Sequence, residues 1–436
     1  MKVGIIGTGY VGLPTGVGLA ELGHRVICID RDARKIETLN TGNLTIYEDG
    51  LADLLAQNVA SGRLSFTTSM AEGIADADVV LIAVGTPPDP VTHAADMQYI
   101  HAAARELAPH LTGYTVVAIK STVPVGTGDA VEKIIAKVNP TADFDMVSLP
   151  EFLREGFAIH DFFHPDRIVV GANTDRAADT IRRLYESFAD KTNILFVRRR
   201  SSEAIKYASN AFLAVKIHYI NEMADFCEKA GADVAEVARG MGLDSRIGPR
   251  FLNAGPGYGG SCFPKDTMAM AYMGRQVGVP MTLIENTITQ NAERKKKMAD
   301  RILNAVRDIP NAKIAALGLA FKNGTDDCRE SPAIEIIKAL LERGADVTVY
   351  DPRATANARY LLGDRVHYTD DMYAPLAGAD VLTLLTEWDD FKALDLKRAA
   401  DLMSHKRIMD CRNLLDPATA RANGFEYHRI GQADCV

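Results

Sequence analysis

The chain is predicted to be an α/β protein in which two doubly wound, parallel-sheet domains are joined by a long central helix. Three features predict it. Short apolar strands alternate with helices over the first part of the chain, a long proline- and glycine-free helical stretch interrupts the alternation, and the alternation then returns. A length of 436 residues, 24% charged and 47% hydrophobic, fits a folded globular chain of about two or three domains.

Val3–Ile6 reads as a short apolar strand bounded by Gly7, Val11–Leu22 as a small-residue helix stopped by Gly23, and Arg25–Ile29 as a second strand ending at Asp30. Asp78–Val84, Thr115–Ile119, Met146–Leu149 and Ile168–Val170 are further continuous apolar runs, as strands buried on both faces should be. Helical patterns lie between them, over 50–61, 97–107 and 126–137. This alternation implies a parallel, doubly wound domain over residues 1–195.

From Ser202 to about Ala230, Ile205, Phe212, Leu213, Ile217, Ile220, Met223 and Phe226 recur at helical spacing. A helix of that length spans roughly 40 Å and is expected to connect two domains and to form a subunit interface. More helix follows, interrupted by the glycine-rich segment Gly255–Ser261, so 196–308 reads as a central helical, dimerisation domain. After Pro310, Lys313–Leu317 reads as strand, Pro332–Arg343 as helix and Asp346–Val349 as strand before Asp351. Ala379-Asp380-Val381-Leu382 echoes Ala77-Asp78-Val79-Val80, so 309–436 reads as a divergent second copy of the first architecture.

A net charge of −8, from 49 Lys+Arg against 57 Asp+Glu, offers no global basic field for nucleic acid or an anionic membrane. An anionic substrate therefore needs a local basic pocket. The runs Arg198-Arg199-Arg200 and Glu293-Arg294-Lys295-Lys296-Lys297 read as solvated helix ends or faces. Six cysteines (28, 227, 262, 328, 411, 435) form no CxxC pair, so no metal site is expected and a reducing setting fits. Met1–Gly7 runs straight into a strand without the pattern of a secretion signal, and no stretch has the length of a membrane span. The expected location is the cytoplasm.

Gly7-Thr8-Gly9-Tyr10-Val11-Gly12 matches G-x-G-x-x-G, follows a strand, opens a helix, and is succeeded 23 residues after Gly7 by Asp30 at the next strand's end. That context makes it a dinucleotide fingerprint of a Rossmann-like domain. Gly7 permits the tight turn, Gly9 the approach of a pyrophosphate, and Gly12 close packing of helix on sheet, while the helix N-terminus meets the phosphates. Asp30 accepts from a ribose hydroxyl and repels a 2′-phosphate, which selects NAD over NADP. The loops Gly85-Thr86-Pro87 and Ser121-Thr122-Val123-Pro124 follow strands, where this fold binds ligands. The second copy has Gly318-Leu319-Ala320-Phe321-Lys322 instead, so side chains such as Lys322 would hold phosphates there. A second nucleotide, carried by the substrate, is the expectation for that half; a purely structural domain is the alternative.

Gly257-Tyr258-Gly259-Gly260-Ser261-Cys262-Phe263-Pro264-Lys265-Asp266 carries the nucleophile. Its glycines admit close approach of a ligand, and Pro264 suits the first turn of a helix that sets Cys262 at an N-terminus beside Lys265. Both features favour thiolate. Asp266 orients the lysine or holds a water. Cys28, Cys227 and Cys411 sit in apolar contexts and read as structural, with Cys328 and Cys435 undecided. Lys206 and Asn210 share a helix face, where a cation and an amide suit a developing oxyanion. Glu151 and Glu155 are expected to share a face after a sheet strand, and one of them to be a general base.

With these residues in view, the chain resembles the nucleotide-sugar 6-dehydrogenase family over nearly its whole length. The motifs that carry the resemblance are Gly7–Gly12, Lys120-Ser121-Thr122-Val123-Pro124-Val125-Gly126, Pro150–Gly156 and Lys206 with Asn210. Ser245-Arg246-Ile247-Gly248, Gly257–Asp266, Phe321-Lys322 and Asp327-Cys328-Arg329-Glu330-Ser331 follow in the same order. The resemblance implies NAD-dependent, four-electron oxidation of a sugar C6 alcohol to a carboxylate, with UDP-glucose as substrate. It implies that Cys262 traps the aldehyde and then carries a thioester, that Lys206 and Asn210 stabilise oxyanions, that Asp266 and Thr122 position water or proton-transfer groups, and that Glu151 is the base for hydrolysis.

For the cofactor, the resemblance adds Glu155 and Arg329 to Gly7, Gly9, Tyr10, Val11, Gly12, Asp30, Gly85, Thr86 and Thr122. Lys35 stands where the family pattern has a phosphate-binding arginine, keeping the charge but losing bidentate geometry. For the sugar nucleotide it implies Phe152, Leu153, Glu155, Phe251, Asn253, Gly257, Tyr258 and Gly259, then Phe321, Lys322 and Arg412, beside Lys206 and Asn210. Arg246 is expected to reach across the interface of a homodimer. The same chemistry on GDP-mannose or a UDP-N-acetylhexosamine, and a catalytically silent NAD-binding sensor or scaffold, are the competing readings.

Overall fold

A computed structural model describes residues 1–433, so Cys435 lies outside the described residues. The chain divides into two compact units, Met1–Ser209 and Asn210–Val436.

The first unit is built on an eight-stranded sheet. Its strands are β1 (Lys2–Ile6), β2 (Arg25–Ile29), β3 (Leu64–Thr67), β4 (Val79–Ile82), β5 (Thr115–Ile119), β6 (Phe144–Ser148), β7 (Arg167–Ala172) and β8 (Asn193–Val197). Their order is β3-β2-β1-β4-β5-β6-β7-β8. β4 and β5 are buried at every position, as their unbroken apolar sequences require for a sheet covered on both faces. One junction departs from the parallel pattern: β7 pairs antiparallel with β6 and carries β8 parallel to itself. The expected helices form at Gly12–Glu21, Leu51–Ala60, Gln98–Leu107 and Thr127–Val138.

The second unit repeats the first in outline. β9 (Lys313–Leu317), β10 (Asp346–Tyr350), β11 (His367–Tyr368), β12 (Val381–Leu384), β13 (Arg407–Asp410) and β14 (Glu426–Arg429) form a parallel sheet ordered β11-β10-β9-β12-β13-β14. The sequence echo marks a shared device. Asp78 accepts from Lys2 N at 2.8 Å beside β1 and β4, and Asp380 accepts from Lys313 N at 2.8 Å beside β9 and β12. Gly7 (φ +105°) donates to Ile29 O, and Gly318 (φ +102°) to Tyr350 O, so both copies make the same left-handed turn after their first strand.

The long helix runs Arg199–Ala230, 32 residues, or about 48 Å. It starts earlier than expected because Arg199 is not solvated. Its guanidinium is 5% exposed and bridges Asp129 and Glu132 at 2.5 Å each, while donating to Met146 O. The second basic run is likewise only partly solvated. Arg294 is buried and bonds Gly255 O, Asn221 O and Asp225, and Lys295 is buried beside it, leaving Glu293, Lys296 and Lys297 outside. A guanidinium in these positions gathers several backbone and carboxylate acceptors at once, which offsets its desolvation. No helix among the described residues is long and apolar enough to cross a membrane, and none of their His, Cys, Asp and Glu side chains group to hold a metal ion.

Arg199→Met would leave Asp129 and Glu132 without their shared partner. We expect it to lower the unfolding free energy by about 2 kcal/mol, read from urea denaturation of the full chain. Unchanged stability would mean that the two carboxylates, both partly exposed, are adequately served by solvent.

Candidate functional site

Strand β1 delivers Gly7 into a groove of about 440 Å³, lined also by Gly9, Asp30, Lys35, Gly85 and Tyr99. The three glycines serve different needs. A Cβ on Gly12 would lie 1.9 Å from Gly7 O and one on Gly7 2.6 Å from Ala83 O, so both are demanded by packing. A Cβ on Gly9 would meet no other protein atom within 4 Å, so that glycine is not a packing requirement and suits the approach of a ligand. Asp30 Oδ2 accepts from Thr8 N (3.0 Å) and Thr8 Oγ1 (2.7 Å), and Oδ1 from Asp32 N. Burial opposes its ionisation. The Thr8 hydroxyl, the two amides and the charge of Lys35 outweigh that and hold the carboxyl below its ordinary range. The groove therefore joins a helix N-terminus to a fixed carboxylate, as a dinucleotide requires. Thr86, buried, donates to Thr122 O at 3.0 Å and ties the two loops predicted at strand ends.

Beyond β6 the chain turns inward. Glu151 and Lys206 are each 5% exposed and pair at 3.0 Å, and Glu151 Oε2 also accepts from Leu153 N at 2.5 Å. Lys206 lies 5.2 Å from the centre of the Phe152 ring, and the Arg167 guanidinium 3.7 Å from it. Lys120, the residue after β5, is buried in the same cluster. Burial pushes its ammonium down to about 8, against the charge of Glu151 and with that of Lys206. Glu151 and Glu155 do not share a helix face. The chain at 151–154 is irregular because the Glu151 carboxylate holds Leu153 N, and helix resumes only at Ala158–Phe163. Glu155 is half-buried in the turn. Glu48, from a loop over 100 residues earlier, anchors this turn by accepting from Gly156 N and Ala158 N.

One helical turn after Lys206, Asn210 donates to Asp266 Oδ2 at 2.6 Å. Asp266, 1% exposed, also accepts from Lys265 Nζ at 2.5 Å. The lysine expected beside the thiol is thus paired with this carboxylate. Cys262 caps the helix Phe263–Gln276, with Pro264 in the first turn and Ser261 Oγ 3.7 Å from its sulfur. Cys262 is half-buried, whereas Cys28, Cys227, Cys328 and Cys411 are buried. Burial pushes the Cys28 thiol up to about 12 and that of Cys411 to about 11. Burial raises the Cys328 thiol as well.

The glycines of this segment admit protein rather than open space. A Cβ on Gly257 (φ +124°) would stand 2.8 Å from Asn291 Oδ1, on Gly259 2.2 Å from Glu330 O, and on Gly260 2.6 Å from the Phe321 ring. Tyr258 is buried and exchanges both backbone bonds with the Asn291 amide. The segment is thereby packed against Phe321 and Arg329–Glu330. Arg412 donates to Leu385 O and Phe321 O and pairs with Glu387, and Lys322 lies 5.6 Å from the Phe321 ring centre. Arg329 pairs with Asp327. Asn253 is exposed, and Phe251 (φ +66°) packs 6.0 Å from Phe263. Arg246 is 87% exposed and paired with Asp244 at 2.5 Å.

Among the groups that sequence reasoning missed, Thr8, Lys120, Arg167 and Glu48 stand out. Of these, only Lys120 left a local signal, a charged residue closing an unbroken apolar strand.

Three consecutive stretches match domains of the UDP-glucose/GDP-mannose dehydrogenase family: its NAD binding domain over residues 1–189, its central domain over 200–293 and its UDP binding domain over 315–417. The chain is 50% identical over 438 aligned residues to a UDP-glucose 6-dehydrogenase of Rhizobium meliloti (strain 1021), covering all of both chains. It is 45% identical to the UDP-glucose 6-dehydrogenase TuaD of Bacillus subtilis (strain 168), over 99% of this chain and 93% of that one. The structure of a UDP-glucose dehydrogenase from Pyrobaculum islandicum superposes with a TM-score of 0.91 at 39% identity, covering 99% of this chain and 98% of that chain.

The chain is accordingly an NAD-dependent oxidoreductase, and Asp30 offers a direct test of the groove. Asp30→Ala removes a carboxylate that would repel a 2′-phosphate bound in this groove. It is expected to raise the ratio of kcat/KM for NADP⁺ over NAD⁺ by about tenfold or more. An unmoved ratio would show that Asp30 does not read the ribose.

Proposed function

The chain belongs to the UDP-glucose/GDP-mannose dehydrogenase family, and from that premise we propose that it oxidises the C6 alcohol of UDP-glucose to a carboxylate through a covalent adduct on Cys262. The observation that carries the reading is that Cys262, alone among the described cysteines, is not buried, and that it opens a helix whose first turn holds Asp266. Gly7, Gly9 and Asp30 of the groove would hold NAD⁺, which when bound would supply the hydride acceptor for the two oxidations.

A reactive aldehyde must be kept between those oxidations, and a thiol adduct keeps it. The Cys262 thiolate adds to the aldehyde carbon, and the carbonyl oxygen becomes an oxyanion held by Lys206 and the Asn210 amide. Loss of hydride from that adduct re-forms a carbonyl as the Cys262 thioester. Glu151 then takes a proton from the attacking water, whose oxygen bonds to the acyl carbon as the carbon–sulfur bond breaks and the thiolate is returned. Asp266, held by Asn210 and Lys265, and Thr122, beside Thr86, position water and pass the proton of the first alcohol. Glu155 and Arg329 contribute to the nicotinamide nucleotide.

Leu153 and Phe152, the segment Phe251–Gly259, and Phe321, Lys322 and Arg412 hold the sugar nucleotide. The last three fall within the stretch that matches a UDP binding domain. In functional terms the chain divides as 1–195 for NAD, 196–308 for the nucleophile and dimerisation, and 309–436 for the UDP-sugar. A nucleophilic thiol suits the reducing cytoplasm. Phe212, Tyr219 and Phe226 recur every seventh residue on one side of the long helix and are 63%, 45% and 60% exposed. That apolar stripe favours a homodimer, which Arg246 would complete from the partner.

Purified protein given UDP-glucose is expected to form two NADH per sugar, followed by absorbance. Cys262→Ala should abolish acid formation while retaining NAD⁺ binding by fluorescence titration; acid formation at the wild-type rate would exclude the adduct. GDP-mannose and a UDP-N-acetylhexosamine run alongside should turn over far more slowly. Light scattering should give twice the chain mass, and Phe226→Glu one chain mass.

A further inference from the structure

Lys120 belongs to none of the roles above, yet it is the most unusual charge in the first unit. It closes β5, where Lys120 N donates to Ile82 O at 2.8 Å and the next residue, Ser121, bonds Val84 O, so its backbone is fixed. Its side chain is more than nine-tenths buried. Among the described residues, its ammonium has neither a hydrogen bond nor a carboxylate within ion-pair distance, while Glu151 and Lys206 both act on it electrostatically. A largely buried lysine without a carboxylate partner costs free energy, and such a cost persists where the charge is used.

The charges around Glu151 indicate the use. Lys206 comes from the long helix, Lys120 from the end of β5, and Arg167 from β7. Arg167 is committed elsewhere, lying over the Phe152 ring and sharing the charge of Asp166. One carboxylate thus sits among more positive charge than it needs at rest. The requirement changes during the reaction proposed above. When Lys206 turns its ammonium to the oxyanion, Glu151 loses its 3.0 Å partner at the stage before it must act as a base, and so must be ionised.

We propose that Lys120 is a positioning residue for the hydrolytic step, the standing countercharge that keeps Glu151 ionised while Lys206 is engaged with the reacting oxygen. The inference rests on the functional reading given above, in which Glu151 is the base and Lys206 the oxyanion cation. A neutral residue at position 120 leaves the carboxylate easier to protonate, so activity is lost at a higher pH on the acid side. On the alkaline side, an ammonium pushed down to about 8 sheds its proton and its countercharge together, so activity falls there too.

The test is kcat for UDP-glucose oxidation by the full chain from about pH 5.5 to 10, for wild type, Lys120→Met and Lys120→Arg. Lys120→Met is expected to move the acidic limb upward by about one pH unit or more. Lys120→Arg should leave the acidic limb in place and displace the alkaline limb upward, since a guanidinium keeps its proton throughout this range. In a Glu151→Gln background, Lys120→Met should add no further loss. A merely structural lysine would lower kcat or melting temperature with both limbs unmoved, and that result overturns the proposal, as does an arginine variant that behaves like methionine. If Lys120→Met does not fold, the alkaline limb of Lys120→Arg decides alone: upward displacement supports the proposal and an unmoved limb ends it. Absence of NADH from wild type with UDP-glucose is a different failure, one of the functional reading itself.

Discussion

Burying a carboxylate among cations is the constraint around which the first unit is organised. Glu151 and Lys206 are almost inaccessible to water, and two such charges are tolerated only when each is compensated in place. The compensation draws on distant parts of the chain. β5 supplies Lys120, the irregular segment after β6 supplies Glu151 and the amide of Leu153, and the first third of the long helix supplies Lys206. The antiparallel turn at β7 has a reason in these terms, because it brings Arg167 over the Phe152 ring and so to the same cluster. Arg199, bridging Asp129 and Glu132, fixes the beginning of the helix that carries Lys206. Glu203, on the next turn, holds Gly126 N and Gly128 N and so joins that helix to the loop that includes Thr122.

The second unit reuses the first unit's backbone devices without reusing its ligand chemistry. Asp351 ends β10 as Asp30 ends β2, and it accepts from Leu319 N and Ala320 N as Asp30 does from Thr8 N. Trp388 Nε1 and the amides of Arg353 and Ala354 complete its partners, so the carboxylate is wholly engaged by protein. Where the first copy has Gly9, with room above it, the second has the buried Ala320, whose carbonyl accepts from Thr386. The same turn is therefore left open in one copy and filled by the core in the other. A fold alone does not state its function.

Much of this was legible in the sequence, and the failures are instructive. The apolar runs of β1, β4, β5 and β9 announced themselves because both faces are covered, whereas the two-residue β11 and the edge strands β8 and β14 carry too little contrast to stand out. The fingerprint was readable because the work of Gly7, Gly9, Gly12 and Asp30 is local. Basic runs misled because their composition does not reveal that Arg199 and Arg294 are folded onto carboxylates about 70 residues away. The glycines around Tyr258 read in sequence as sites of a ligand's approach, but the atoms that approach them belong to Asn291, Glu330 and Phe321, which only the tertiary fold brings there. Glu48 had no local signal, since it accepts from the amides of Gly156 and Ala158, beyond residue 150.

In the proposed reaction the sulfur of Cys262 and the carboxylate of Glu151 would divide the chemistry between bond formation and bond release. Their division is open to one direct measurement. Glu151→Gln protein mixed with UDP-glucose and NAD⁺, quenched in acid and digested, should yield a peptide spanning Cys262 whose mass is raised by the acyl sugar nucleotide. A Cys262 peptide of unchanged mass, from enzyme that has nonetheless produced NADH, would contradict a thioester held on that sulfur.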